Sequence, residues 1–418
     1  MNKLPHGNQR WSCCSFRILK KWAGVSSLLV SPMKKLFVAI SSLVLCVTAN
    51  AQWKTETYTL KGGWNAIYLH GDASYDTIDN LLPNSGTTAN ITEIWSWNPN
   101  PEQVQFTDSQ MIPSAGTSEW SVWKRGVLAE TTLSKLVGQH AYLVKCSGTA
   151  SSSYTVMLKQ SPRLPSNSWV RNGANLLGFP TYKNGSSYPT FSNYFATFPA
   201  ATATTSKIFK YVGGDLSSTN PIQLFSTSSE RVDRNQAYWF SAKVAGNFYA
   251  PLEFDLSTGD GLVFGRTGSD IKLRIRNRTT AAVTVTLTPT SSEAAPSYQT
   301  TVADAVSLTN RTFNAATASW TETAFTGAST QVIAPQSTIE LSFGINRAAM
   351  TGGTNSFYAS LLRITESSSL MDIYLPVTAF KASLAGLWVG DISLNSVSNK
   401  VSNPAHATAV LTNGVVTG

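Results

Sequence analysis

The chain has 418 residues, of which 42% are hydrophobic, 11% aromatic and only 13% charged, with a formal net charge of +9. A single hydrophobic core stops growing near roughly 250 to 300 residues, so more than one domain is expected. The charged fraction is about half the usual ~25%, which excludes a coiled coil and a charged disordered chain.

The first recognisable element is Met33-Lys34-Lys35, followed by the apolar run Leu36 to Val47 and the small residues of Ala49-Asn50-Ala51. This reads as a secretory signal peptide cleaved after Ala51, with Met33 the expected start and a longer leader over residues 1 to 32 the alternative. Leu45 before Cys46 is the wrong residue for a lipoprotein site. No later segment reaches the ~20 apolar residues of a membrane-spanning helix. The leader carries Lys3, Arg10, Arg17, Lys20, Lys21, Lys34 and Lys35 and no acid, so the mature chain is nearly neutral at +2. That balance, without a basic cluster interleaved with aromatics, excludes a nucleic-acid partner. Of Cys13, Cys14, Cys46 and Cys146 only the last survives cleavage. No intramolecular disulfide and no cysteine metal cluster is expected, and Cys146, after the apolar Ala141-Tyr142-Leu143-Val144, reads as a buried thiol.

Beyond residue 52 strand signals dominate: short runs of Val, Ile, Thr, Tyr, Phe and Trp bounded by Gly, Asn, Ser and Pro. Helical periodicity is confined to one or two turns at Thr77 to Leu82 and around Phe191 to Phe195. Lys61-Gly62-Gly63-Trp64-Asn65 returns as Arg171-Asn172-Gly173-Ala174-Asn175, Ile94-Trp95-Ser96-Trp97 as Ile208-Phe209-Lys210-Tyr211, and Ala141-Tyr142-Leu143-Val144 as Ala237-Tyr238-Trp239-Phe240. Landmarks repeated in the same order predict two tandem β-sandwich domains, 53 to 162 and 163 to 260, each ending in a partner strand, Tyr154 to Leu158 and Phe248 to Phe254.

From Leu262 the strands become regular and threonine-rich: Ile271 to Asn277, Ala282 to Thr288, Thr338 to Ile345 after Pro335, Phe357 to Ile364, and Asp372 to Ala379 with its Leu375-Pro376-Val377. Residues 262 to 380 resemble bacterial immunoglobulin-like sandwiches of the abnormal-spindle and hydin type. The resemblance implies a seven-stranded scaffold or adhesion module without catalytic residues of its own. The irregular stretch from Ser291 to Thr330 departs from that pattern and leaves the strand order there open. Residues 384 to 418 read as a strand-rich tail, either docked on a preceding domain or opening a further, truncated one. The whole arrangement is similar to large secreted multi-domain bacterial surface proteins whose β-domains open on Gly-Trp-Asn.

The serine-hydrolase elbow, the zinc-protease helix, the phosphate-binding loop and the dinucleotide fingerprint have no match in the sequence. His70, His140 and His406 each stand alone, and no cofactor or metal is expected. Glu93, Glu102, Asp108 and Glu119 lie near tryptophans, where a glycoside hydrolase would need two converging carboxylates; solvated loop charge is the plainer reading. Asp255 to Gly261 has oxygen ligands at alternating positions, as calcium would need, but too few acids, and reads rather as a turn between domains.

The concentrated feature is tryptophan. Trp95 and Trp97, two apart on a strand, share a face, and with Trp120 and Trp123 they make the candidate ligand platform, able to stack on sugar rings or to meet a protein partner. A tryptophan-rich core is the competing reading, because Phe209 and Tyr211 occupy the matching positions as ordinary large residues. The expectation is therefore an all-β protein of tandem β-sandwich domains with an immunoglobulin-like third. It is expected to act as a secreted or cell-surface structural or adhesion protein, a non-catalytic binding scaffold for an extracellular polysaccharide or surface protein. A carbohydrate-binding module protein is the alternative, and a glycoside hydrolase the third reading.

Overall fold

The alternation of side chains along a strand decides where each sheet packs. In β1 (Lys54–Lys61) Glu56, Tyr58 and Leu60 turn inward while Thr57, Thr59 and Lys61 face solvent. In β2 (Gly63–Leu69) every residue is buried, which requires a sheet covered on both faces. The structure is a computed structural model. It describes residues 52–98, 113, 114, 116, 119–165, 170, 173–217, 219–241, 250–257 and 261–381, and the backbone of 386–392, 405–412 and 415–417. The expected leader, signal peptide and cleavage site lie outside the described residues. All described residues belong to one compact unit.

The first repeat continues with β3 (Gly71–Asp72), β4 (Ile91–Trp97), β5 (Trp120–Lys124), β6 (His140–Cys146) and β7 (Ser153–Pro162). Its strands make a four-stranded sheet, β2-β6-β4-β5, and a three-stranded one, β1-β7-β3. Between them lies a core of Tyr58, Leu60, Ile67, Leu69, Ile94, Trp123, Tyr142, Val144, Val156 and Leu158. The second repeat supplies β8 (Asn175–Leu177), β9 (Lys207–Lys210), β10 (Ile222–Leu224) and β11 (Tyr238–Ser241), ordered β8-β11-β9-β10. That is the order of the first sheet, strand for strand. The registers also match: Leu143 faces Trp95 and Ala66 as Trp239 faces Phe209 and Leu176.

Two asparagines fix the shared geometry. Asn65 Oδ1 accepts from Lys61 N at 2.8 Å, and its Nδ2 donates to the carbonyls of Lys61, Gly63 and Val144. Asn175 repeats the set with Val170 N at 2.7 Å and the carbonyls of Val170, Gly173 and Phe240. Each side chain satisfies backbone groups that would otherwise be buried and unpaired, at a cost of about 1 to 3 kcal/mol apiece. Helical turns stand at matching places, Ile78–Leu81 and Phe191–Tyr194, as the sequence predicts.

Among the described residues the second repeat has no three-stranded sheet of its own. The strand expected to close it, β12 (Leu252–Leu256), pairs antiparallel with β14 (Asp270–Asn277) instead, so the boundary expected at 260 is corrected. The expected Phe248 lies outside the described residues. β12 opens a third sandwich with β13 (Leu262–Gly265), β14, β15 (Val283–Ser291), β16 (Leu308–Asn314), β17 (Ser319–Ala324), β18 (Ser329–Ile333), β19 (Thr338–Ile345), β20 (Phe357–Glu366) and β21 (Asp372–Phe380). Two five-stranded sheets face each other, β12-β14-β19-β16-β17 and β13-β21-β20-β15-β18. The seven strands implied by the resemblance become ten. The irregular stretch contributes the β16–β17 hairpin and β18, and β12 joins from the preceding repeat. The described residues are thus all-β, their sheets stacked as sandwiches. In the tail, β22 (Gly386–Ile392), β23 (Ala405–Thr412) and β24 (Val415–Thr417) form an antiparallel three-stranded sheet. No helix among the described residues is long and apolar enough to cross a membrane.

Candidate functional site

The tryptophans expected as a platform are internal. Trp95, Trp97, Trp120 and Trp123 are between 1% and 5% exposed, so the proposed stacking surface is corrected to a core. Trp95 and Trp97 do share a face, as the period of two requires. Trp120 joins them, but Trp123, three positions further on, points to the opposite side and packs between the repeat's own sheets. The shared face lies against the second repeat, where Leu176, Tyr211, Ala237 and Trp239 cover it. Trp239 is the centre of the seam, with ring centroids 5.6 Å from Trp97 and 6.2 Å from Trp120, both edge to face. Its indole N–H donates to Tyr211 Oη at 3.1 Å, and that of Trp95 to Glu93 at 2.8 Å. Each ring removes on the order of 150 to 250 Å² from water, which makes this seam a large apolar interface between the repeats.

Glycines let the two backbones meet at the seam. Gly63, at φ +82°, bridges Gly214, and Trp64 N–H donates to Gly214 O at 2.8 Å; a Cβ on Gly63 would lie 2.2 Å from that oxygen. Gly178 follows Leu177 as Tyr68 follows Ile67, so the two occupy equivalent positions, and they touch: a Cβ at 178 would fall 2.2 Å from the Tyr68 ring. One copy carries the ring and the other the space for it.

A buried polar corner ties both repeats to the third sandwich. Arg234 reaches Glu56 at 3.8 Å and donates to the carbonyl of Asp372, whose carboxylate holds Arg363 through two bonds of 2.8 and 3.0 Å. His70 Nε2 donates to Arg234 O at 2.6 Å. Burial, with Arg234 beside it, pushes the His70 pKa down to about 3, so the ring is neutral. Burial would raise the Glu56 carboxyl, but Arg234 and Lys54 outweigh it and hold it below its ordinary value. The cavity at this corner is about 10 Å³, room for roughly one water and no substrate.

The other singled-out residues have structural partners. His140 Nε2 bonds Ser96 Oγ at 2.7 Å, and burial lowers its pKa. Cys146 is a buried free thiol pushed up to about 12 by burial. Glu93 receives Trp95 and pairs with Lys145 at 3.1 Å. Asp255 lies on β12 and faces Arg274 at 3.7 Å, while residues 258 to 260 of the expected turn lie outside the described residues. Glu102 and Asp108 also lie outside them, as does the side chain of His406. Among the described residues no group of three His, Cys, Asp or Glu is placed to hold a metal ion.

What sequence reading missed is a groove of about 450 Å³ beside the seam, along the outer edge of β1. Lys61 of the first repeat and Lys183, Tyr188, Lys210, Asp233 and Gln236 of the second line it. No spacing signal could have found these residues, since they come from separate elements that only the packing of the repeats brings together.

No family model matches the chain, and no curated protein matches it. Among solved structures it is similar to a PapD-like (ASH) domain of human CEP192, at 6% identity and TM-score 0.18, over 31% of this chain and 84% of that one. It is also similar to the CooA pilin subunit of enterotoxigenic Escherichia coli, at 18% identity and TM-score 0.17, over 31% of this chain and 97% of that one. A calcium-binding mutant of Bacteroides uniformis beta-glucuronidase 2 matches at 8% identity and TM-score 0.16, over 81% of this chain and 33% of that one.

Proposed function

We propose that the protein is a secreted or cell-surface structural or adhesion protein, a binding scaffold that holds a partner without transforming it. The observation that carries this reading is the aromatic seam. It welds two repeats through Trp97, Trp120 and Trp239 and leaves large side chains inside as framework rather than outside as chemistry. The buried corner of Glu56, Arg234 and Asp372 supports it further, because it fastens the welded pair to the third sandwich with no room for a substrate. Secretion rests on the lysine-led apolar segment before Ala51. The test is to express the full chain in a bacterial host with an epitope after Gly418 and to follow it by fractionation and surface labelling. The expected result is mature protein, cut after Ala51, in the medium or on the cell surface, which retains an extracellular polymer unchanged. Uncleaved protein in the cytoplasm, or turnover of a bound polymer, would overturn the reading.

A further inference from the structure

The groove along β1 has the chemistry of a ligand site. In an antiparallel pair, alternate residues of a strand turn their peptide groups toward the partner and away from it. On β1 the outward set is fixed by its bonds. Thr55 N–H donates to Glu293, Lys61 N–H donates to Asn65, Thr57 C=O accepts from Asn235, and Lys61 C=O accepts from Asn65. Thr59 belongs to the same set, with its N–H and C=O turned to the groove side and no partner for either among the described residues. Asn235 Oδ1, also at the groove, is buried and lacks a hydrogen bond. The Thr59 groups are directional polar groups left open in a concave site, with Asn235 Oδ1 beneath its surface.

The charge of the lining is positive. Lys61, Lys183 and Lys210 face it against one carboxylate, Asp233, and Lys210 is partly neutralised by Glu230 at 3.0 Å. Among the described residues Lys61 and Lys183 make no ion pair within 4 Å, although Asp233 attracts Lys183 at longer range, and Lys183 lies 5.6 Å over the ring of Tyr188, itself half-buried. An added peptide strand would need a run of free edge groups. Asn235 already occupies the carbonyl of Thr57 and Asn65 both groups of Lys61, so the free edge groups around Thr59 do not form a continuous run. Threonine hydroxyls, the open N–H and C=O of Thr59, an aromatic ring and lysines without a close ion pair together suit sugar hydroxyls and sugar carboxylates better.

We infer that the groove between the two repeats binds a short anionic oligosaccharide of uronic acid residues, with Lys61 and Lys183 meeting its carboxylates and the β1 edge at Thr59 its hydroxyls. The inference rests on the scaffold reading and says what that scaffold holds.

The experiment is calorimetric titration of the full mature chain with three probes, tetragalacturonate, tetramannuronate and a hyaluronan tetrasaccharide. Neutral tetragalactose and an acidic peptide of equal charge serve as comparisons. The expected result is binding of at least one uronate, weakened by added salt, and roughly tenfold weaker in Lys61→Gln/Lys183→Gln with an unchanged urea midpoint. Lys272→Gln, on the third sandwich, should bind as the unaltered chain does. Binding of none of the three uronates, equal binding of tetragalactose, preference for the peptide, or full affinity in the double variant would each overturn the inference. Surface retention without uronate binding would remove the groove site alone. Uronate binding by a protein found in the cytoplasm would remove the scaffold reading alone.

Discussion

The two repeats carry the same four-stranded sheet, yet the layer beneath it differs. In the first, β1 and β7 of the repeat itself close the face opposite the seam. In the second, the corresponding face, with Leu177, Ile208, Tyr238 and Phe240, continues into the core of the third sandwich. The strand that would have closed it, β12, has become an edge of that sandwich. An apolar sheet face must be covered, but the covering has no directional requirement, so a duplicated sheet can keep its register and exchange its second layer.

The sharpest way to break this comparison is at the position where the copies meet. Gly178→Leu forces the Tyr68 ring from the seam and should cost about 3 kcal/mol or more, read as a fall in the urea midpoint. Tyr68→Gly alone leaves a cavity, and Tyr68→Gly/Gly178→Leu should recover part of the loss, because the Cβ of residue 68 lies as close to a side chain at 178 as the ring does. Strictly additive losses would mean the two positions do not share one space. Next in size are Asn65→Ala and Asn175→Ala, each expected to cost about 2 to 4 kcal/mol by orphaning the same backbone groups. A large inequality between them in parallel urea titrations would break the equivalence of the repeats.

The polar corner sets a pH dependence that belongs to both copies, since His70 of the first donates to Arg234 of the second. Burial, then Arg234, depress the His70 pKa to about 3, well below the ~6.5 of an unfolded histidine. Between those values the unfolded chain holds a proton that the native chain lacks. Stability is therefore complete above about pH 6.5 and declines by roughly 1.4 kcal/mol for each pH unit toward pH 3. Glu56, also held down, adds its loss at more acid pH. Urea midpoints measured across this range should slope less in His70→Gln, and an unaltered slope would assign the acid sensitivity elsewhere. The smallest effect concerns the matched helical turns. Thr190 accepts a capping bond from Asn193 N–H at 3.2 Å, whereas the side chain of Thr77 caps nothing. Thr190→Ala should cost about 1 kcal/mol, and Thr77→Ala should lose no cap.

Much of the strand-level detail was legible. Tyr58 and Leu60, Trp95 and Trp97, and Ile271, Leu273 and Ile275 each fall on one face as a period of two demands. The landmarks led by Asn65 and Asn175 fall on strands of equal order. The candidate site was not legible. Alternation says which side chains share a face, not whether solvent or another sheet lies opposite, and so the choice between a tryptophan-rich core and a surface platform stayed open in the sequence. Lys61 and Lys183 gave no signal because their proximity is a product of packing.

The sequence by itself determined an all-β chain, two short helical turns, a duplicated sheet and little net charge beyond residue 51, because hydrogen-bond period, turn chemistry and charge are local or additive properties. Only the tertiary structure decided that the tryptophans are inside, that β12 belongs to the third sandwich and that a lysine-rimmed groove runs beside β1. Those outcomes depend on which apolar faces find each other across long stretches of chain, and burial rewards area rather than sequence neighbourhood.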